Sequence, residues 1–221
     1  MTASAIIVAA GRGVRAGGNV PKQWQLLLGK TIFSHTIDVF QKHPAITEII
    51  VVLNHNDMAH FKNFNKEGNI KVVFGGINRA ASVRNGLAVT EQNQFVLIHD
   101  VARPLVKLQT ISDVLSALKN SQGAAPALPV TDAIWTVVNG QVTGTKNRSG
   151  LFRAQTPQGF NRKAIIEAHS AHQGEAPDDV TVAQAYGLNV TTVAGDEENL
   201  KITHPADFER AQLIMRGRNG R

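Results

Sequence analysis

The sequence predicts an α/β fold, a mostly parallel sheet covered by helices on both faces. Three observations carry that expectation. Short apolar runs alternate with segments of helical periodicity from residue 3 to residue 118. The first run, Ala3–Ala9, is almost wholly apolar and ends at a glycine turn, as a buried strand of a parallel sheet does. The 221 residues are 43% hydrophobic and 18% charged, enough to bury a sizeable core and too apolar for a disordered chain.

The elements follow in order. Apolar residues at 32, 33, 37 and 40 predict a helix, and residues 48–53 (EIIVVL) a second strand. Residues 58–64 read as helical, 70–74 (IKVVF) as a third strand, 78–89 as a helix and 95–98 (FVLI) as a fourth strand. Apolar positions 111, 114, 115 and 118 mark the next helix. Near residue 130 the pattern changes. Residues 133–145 alternate loosely around Asn139-Gly140, a hairpin turn signal, and a second extended piece follows at 151–156. This predicts an antiparallel arm over about 133–156. Helices at 162–170 and 179–186, a strand at 190–193 and a helix at 205–215 complete the chain. No repeat or linker interrupts it, so a single domain with a protruding β-arm is expected.

Composition narrows the function. The absence of cysteine excludes a disulfide scaffold, a thiolate zinc site and a cysteine nucleophile, and fits a reducing, cytoplasmic setting. No apolar run approaches the ~18 residues of a membrane span, and the N-terminus lacks the basic region of a secretory signal. The formal net charge of +6 raises nucleic-acid binding. Residues 208–221 carry +3 of it, however, and the basic tail at about 216–221 holds Arg216, Arg218 and Arg221. With 5% aromatic residues the chain is also poor in stacking platforms. Neither a nucleic-acid nor a membrane partner is expected.

Three turns could carry chemistry. Ala9-Ala10-Gly11-Arg12-Gly13-Val14-Arg15 follows the first strand, where backbone N–H groups can cradle phosphate. It satisfies a Gly-x-Gly-x-x-Ala pattern, but the second strand ends in Leu53-Asn54-His55-Asn56, without the acidic residue that a dinucleotide's ribose needs. Arg15 and, after Pro21, Lys22 suit a reacting polyphosphate. Leu28-Gly29-Lys30-Thr31 lacks the earlier glycine of a P-loop, with Trp24 in its place, and Gly29-Lys30 reads as a turn before the helix. Gly75-Gly76 closes the third strand before a helix whose N-terminus could hold an anion or a base edge, or be capped by Asn78. His99-Asp100-Val101-Ala102-Arg103-Pro104 puts a carboxylate at the end of the fourth strand, for a metal or a hydroxyl, or for a salt-bridged turn. Arg148 and Lys201, taken singly, read as surface charges. His169 and His172 read as exposed at a helix end.

As an ordered set these segments resemble the 2-C-methyl-D-erythritol 4-phosphate cytidylyltransferases of the non-mevalonate isoprenoid pathway. The resemblance rests on Ala9-Ala10-Gly11-x-Gly13-x-Arg15 with Pro21-Lys22-Gln23, Gly75-Gly76-x-x-Arg79-x-x-Ser82-Val83 and His99-Asp100-x-Ala102-Arg103-Pro104. It continues in Arg148-x-Gly150-Leu151, Thr156-Pro157-Gln158 and Lys201-Ile202-Thr203, spanning about residues 5–210. It implies a Rossmann-like sheet of the nucleotidyltransferase type and a homodimer with interlocking arms. It also implies transfer of CMP from CTP to 2-C-methyl-D-erythritol 4-phosphate, giving the CDP-alcohol and pyrophosphate, with Mg²⁺ on the triphosphate. Arg15 and Lys22 would stabilise transition-state charge. Arg148, in the partner's site, and Lys201 would position the acceptor phosphate. Ala9, Ala10, Gly11, Gly13, Gly75, Gly76, Arg79 and Ser82 would hold CTP, and Asp100, Arg103 and Thr156 would line the acceptor and metal region. Ala133 and Pro177 stand where relatives often have threonine, and Ile77 where an acidic residue often follows the glycines. Some members continue into a fused cyclodiphosphate synthase domain, and the basic tail is where such a linker would start. Ribitol 5-phosphate as acceptor, or an idle nucleotide-binding domain, are the competing readings.

Overall fold

In the computed structural model, residues 1–13, 20–62, 64, 69–91 and 93–219 are described. The chain begins with β1 (Ala3–Ala9), a small hairpin of β2 (Leu26–Leu27) and β3 (Lys30–Thr31), and α1 (Ile32–Lys42). Then come β4 (Ile46–Leu53), α2 (Met58–Lys62), β5 (Ile70–Phe74), α3 (Arg79–Leu87), β6 (Phe95–Asp100) and α4 (Leu108–Ala117). The second half holds β7 (Gly123–Pro129), β8 (Ile134–Val138), β9 (Gln141–Lys146), β10 (Phe152–Ala154) and β11 (Gln158–Asn161). It ends with α5 (Arg162–Ala171), α6 (Asp179–Ala185), β12 (Val190–Ala194) and α7 (Pro205–Asn219).

Eight strands form the main sheet. β5, β4, β1 and β6 run parallel, and β11 joins β6 antiparallel. β10 and β11 share one edge of β7, while β12 pairs parallel with the other. Strand alternation divides the core. Ala5, Ile7, Val51 and Leu97 face Phe33, Ile37 and Phe40 of α1 and Val114 of α4. Ile6, Ile50, Val96 and Ile98 face Val83 of α3, Ile165 of α5 and Val182 of α6. A smaller cluster of Leu27, Ile32, Leu105 and Ile202 seats α7 through Ala211. Thr31, Asn78, Asn161 and Asp178 cap their helices by accepting from the backbone N–H three residues on, worth about 1 kcal/mol each.

The arm is a hairpin of β8 and β9, turning at Asn139 and Gly140 with φ of 50° and 80°. Both values lie in the left-handed region that this pair of residues tolerates. The turn expected at Gly29-Lys30 falls one residue earlier, at Leu28 and Gly29, and Lys30 opens β3. The extended piece grouped with the arm belongs elsewhere, since β10 pairs with β7 in the main sheet. The sequence pattern also hides β7 and β11. Gly-Ala-Ala-Pro-Ala-Leu-Pro has low strand propensity and two prolines. Pro126 is tolerated because its carbonyl meets the Gln155 N–H where the neighbouring ladder breaks between β10 and β11. The tail is not merely a solvated run. Helix α7 reaches Asn219, and Arg218 bonds Glu198 and the Leu105 carbonyl.

Gly86 packs α3 directly on the sheet, and a Cβ there would lie 2.8 Å from Ile6 Cγ2. Gly86→Ala should therefore destabilise by about 1–3 kcal/mol, against the ~1 kcal/mol gain expected at an open helix position. Urea unfolding midpoints check it.

Candidate active site

A cleft of about 430 Å³ opens over the carboxyl ends of β1, β4, β5 and β6, where an α/β sheet binds its ligands. Ala9, Ala10, Gly11 and Arg12 form one wall, and Gly76, Asn78, Arg79 and Ser82 the facing one. Lys22, Asp100 and Lys201 lie at its floor and side. The two walls nearly touch at their roots. A Cβ on Gly75 would come within 2.4 Å of Ala10 Cβ, and one on Gly76 within 2.4 Å of Ala81 Cβ. Gly13 has φ +61°, and a Cβ there would strike the Lys22 stem at 2.7 Å. Glycine at these turns lets the backbone approach both a ligand and the lysine. The Gly76 N–H is held by Ser82 Oγ at 3.1 Å.

Asp100 organises the charges. Its carboxylate meets Lys201 Nζ at 2.7 Å and Arg79 Nε at 3.6 Å. Burial alone would raise its proton affinity. The charges of Lys201 and Arg79, and a hydrogen bond from Lys201, outweigh burial and hold the carboxyl well below the usual carboxylate range. Arg79 in turn donates to the buried Asp179 at 2.7 Å. Burial works against the guanidinium charge, but Asp179 and Asp100 together raise its pKa. Lys22 comes from the far end of the chain, and its ammonium donates to the Ile202 carbonyl at 2.9 Å, next to Lys201. Ion pairs thus bring Lys201 and Arg79 to one carboxylate, and a hydrogen bond ties Lys22 to the strap that carries Lys201.

Behind Asp100 stands a buried polar layer. His99 has its pKa lowered to about 4 by burial, so its ring is neutral at pH 7. Nε2 lies 3.1 Å from the Arg103 carbonyl, which can only accept, so Nε2 carries the hydrogen. Nδ1 therefore accepts from the Thr156 hydroxyl at 3.0 Å, while that oxygen accepts the Asp100 N–H at 3.2 Å. Arg103 donates to the Asn199 carbonyl at 2.6 Å.

Most of the expected residues converge here. Ala9, Ala10, Gly11, Gly76, Arg79, Ser82, Lys22, Asp100 and Lys201 line the cleft, with Gly75 and Gly13 at its turns. Thr156 and Arg103 stand behind Asp100 instead of on the wall. Arg148 is exposed at the base of the arm, bonded to the Thr131 carbonyl and outside this chain's own cleft. Arg15 lies outside the described residues. Among the described residues no three His, Asp or Glu side chains cluster as metal ligands. One expectation is corrected: neither histidine expected at the surface is exposed, His172 being half-buried. His169 is 1% exposed, because its Nε2 is drawn to the buried Asp179 at 3.1 Å. Sequence reasoning gave no role to Gln23, whose amide donates to the Ala9 and Gly11 carbonyls and to Asp57, fixing the glycine loop from beneath. It also gave none to Asn199. A polar side chain flanking a cationic motif residue was the available signal for both.

A glycine cradle facing a helix N-terminus, with cations grouped on one ionised carboxylate, defines a nucleotide-binding transferase that works by positioning and charge. The comparisons give it a family. The chain matches the IspD family, 2-C-methyl-D-erythritol 4-phosphate cytidylyltransferase, over residues 3–217. It is 51% identical to the cytidylyltransferase of that name from Roseobacter denitrificans over 221 residues, all of both chains. It is 53% identical over 218 residues to the bifunctional enzyme IspD/IspF of Ruegeria pomeroyi, covering 98% of this chain and 57% of that one. The crystal structure of the Thermus thermophilus cytidylyltransferase superposes with a TM-score of 0.81 at 33% identity, covering 98% of this chain and all of that one. The chain belongs to this family, and its fold is of the nucleotidyltransferase type. Among the described residues no helix is long and apolar enough to cross a membrane.

The neutral, buried His99 has a pH signature. Unfolded, it titrates near 6.5; folded, near 4, so between these values the unfolded chain binds the extra proton. The stability it confers is whole above pH 6.5 and drains as pH falls through that window, by up to about 1.4 kcal/mol per unit. His99→Asn should flatten the fall measured by urea unfolding between pH 7 and 5. The slope left belongs in part to His43, whose pKa burial also lowers.

Proposed function

We infer that the protein transfers a cytidylyl group from CTP to 2-C-methyl-D-erythritol 4-phosphate, releasing pyrophosphate, in isoprenoid precursor synthesis. The observation that carries this reading is that Lys201 and Arg79, paired with Asp100, and Lys22, bonded beside Lys201, line one cleft with the glycine cradle. Both substrates are phosphate anions that repel each other, and catalysis consists of holding them in line and absorbing charge. CTP would lie along Ala9–Gly11 and Gly75–Gly76, with its base against the backbone and Ser82. An oxygen of the acceptor phosphate attacks the α-phosphorus. The bond to the bridging oxygen breaks, and its electron pair leaves with pyrophosphate. Lys22, together with Arg15, would stabilise the charge on the α-phosphate and leaving group. Lys201, held by Asp100, would orient the acceptor phosphate, with Arg103 and Thr156 supporting that side.

Asp100 suits a divalent cation of the magnesium type, because its carboxyl stays ionised and such a cation uses few carboxylates, taking phosphate oxygens and water for the rest. When bound, the cation would neutralise triphosphate charge. The arm supports a homodimer. Trp135, Val137, Val138 and Val142 are all more than half exposed on it, and an apolar hairpin of this kind calls for cover. Arg148, outside its own cleft, would then serve the partner's. A cytoplasmic setting agrees with the absence of cysteine.

The deciding assay follows pyrophosphate release from CTP with 2-C-methyl-D-erythritol 4-phosphate or ribitol 5-phosphate, and then from other nucleoside triphosphates. Turnover with the first acceptor and CTP is expected; turnover with ribitol 5-phosphate alone contradicts the reading. Lys22→Ala should lower kcat by about 100- to 1,000-fold while leaving the KM for CTP within a few-fold.

A further inference from the structure

Lys201 stands on a short strap between β12 and α7, and the strap is pinned on both sides of it. Two residues before Lys201, Asn199 is fully buried, and its Nδ2 donates to the Thr156 carbonyl at 2.9 Å. One residue after, the Ile202 N–H donates to the Ala102 carbonyl at 2.8 Å. Thr156 and Ala102 flank Asp100 from two different segments, and Lys201 reaches Asp100 from between these pins. The Asn199 carbonyl also accepts from Arg103 at 2.6 Å and from Gln155 at 3.4 Å. A single buried residue thus ties together Thr156, Arg103 and the segment that carries Lys201.

We propose that Asn199 is a positioning residue for the transfer reaction, setting the Lys201 ammonium against Asp100 and thereby the acceptor side of the cleft. Substitution cannot remove the backbone bonds to Arg103 and Gln155, so these keep the strap nearby. What is lost is the side-chain pin to Thr156 on one side of Lys201, which leaves the path from 199 to 201 less constrained while the Ile202 pin remains. Lysine brings four rotatable bonds, so its head is placed only as well as its backbone is. A small displacement of a charge that must meet a phosphate is costly in rate. The CTP cradle at Ala9–Gly11 and Gly75–Gly76 belongs to other segments and does not depend on this pin.

The proposal rests on the cytidylyl-transfer reading for its kinetic consequence and on geometry alone for its positioning claim, so two measurements separate them. Asn199→Leu keeps the branching at Cγ without the donor, at a larger volume, and Asn199→Asp keeps the size and shape without it; the second decides if the first does not fold. For a folded variant, kcat/KM for the alcohol phosphate should fall about 10- to 100-fold, with the KM for CTP within about threefold of wild type. Independently of any activity, acetic anhydride labelling read by mass spectrometry should modify Lys201 several-fold faster than in wild type, relative to the exposed Lys163 on α5. Unchanged Lys201 labelling in a folded variant overturns the positioning role. Equal loss for both substrates, in proportion to lost folded protein, also overturns it and leaves Asn199 a purely structural residue. Failure of wild type to use the alcohol phosphate overturns the functional reading instead, and the labelling still decides the role of Asn199.

Discussion

The site depends on one nearly buried carboxylate. Asp100 has lost most of its water, and an ionised carboxylate in that position is tolerable only with close counter-charges. Lys201 and Arg79 supply them, one at each carboxylate oxygen. The bargain is mutual, because the same carboxylate gathers cations that would otherwise repel one another across the cleft. Removing one partner would leave Asp100 a single counter-charge, and removing both would leave a buried charge uncompensated, a change that typically costs about 3–5 kcal/mol. Arg79 is in turn braced by the buried Asp179, so the charge balance extends from the strap at Lys201 to helix α6.

The sheet explains why these groups meet. β1, β4, β5 and β6 run parallel, so their carboxyl ends open on one edge and every turn after them faces the same cleft. Local rules then shape that edge. Glycine removes the side chains that would block the cradle, Asn78 caps α3 at the wall of the cleft, and Gln23 locks the first loop from below. Lys22 and Lys201, 179 positions apart, become neighbours through a bond from one lysine to the carbonyl beside the other. Rigid strand ends bearing cations on short straps suit a reaction that needs position more than covalent help.

Much of this was legible in the sequence because the informative patterns are local. The first strand, the third strand and the Asn139-Gly140 hairpin follow from apolar runs and turn chemistry, and the structure keeps them where the patterns put them. The grouping of Lys22, Asp100, Arg79 and Lys201 was reached only through the ordered set of motifs, since each is ordinary alone. Other features depend on tertiary context. β7 is rich in alanine and proline, and it is a strand because β10, β11 and β12 pair with it. His169 is buried because Asp179 lies behind it, which no helix-end pattern reveals. Asn199 gains its place from a carbonyl 43 residues away. Leu151 and its neighbours looked continuous with the arm because extended chain has the same local signature whichever sheet it joins.

The central claim is that Asp100 and Lys201 act as one unit. A double-mutant cycle on kcat/KM for the alcohol phosphate, using Asp100→Asn, Lys201→Gln and the pair together, tests it most directly. The account predicts strong non-additivity, the double variant being little worse than the poorer single one, with a coupling of about 1.5–3 kcal/mol. Losses that simply add would mean that the two residues act independently, and would contradict it.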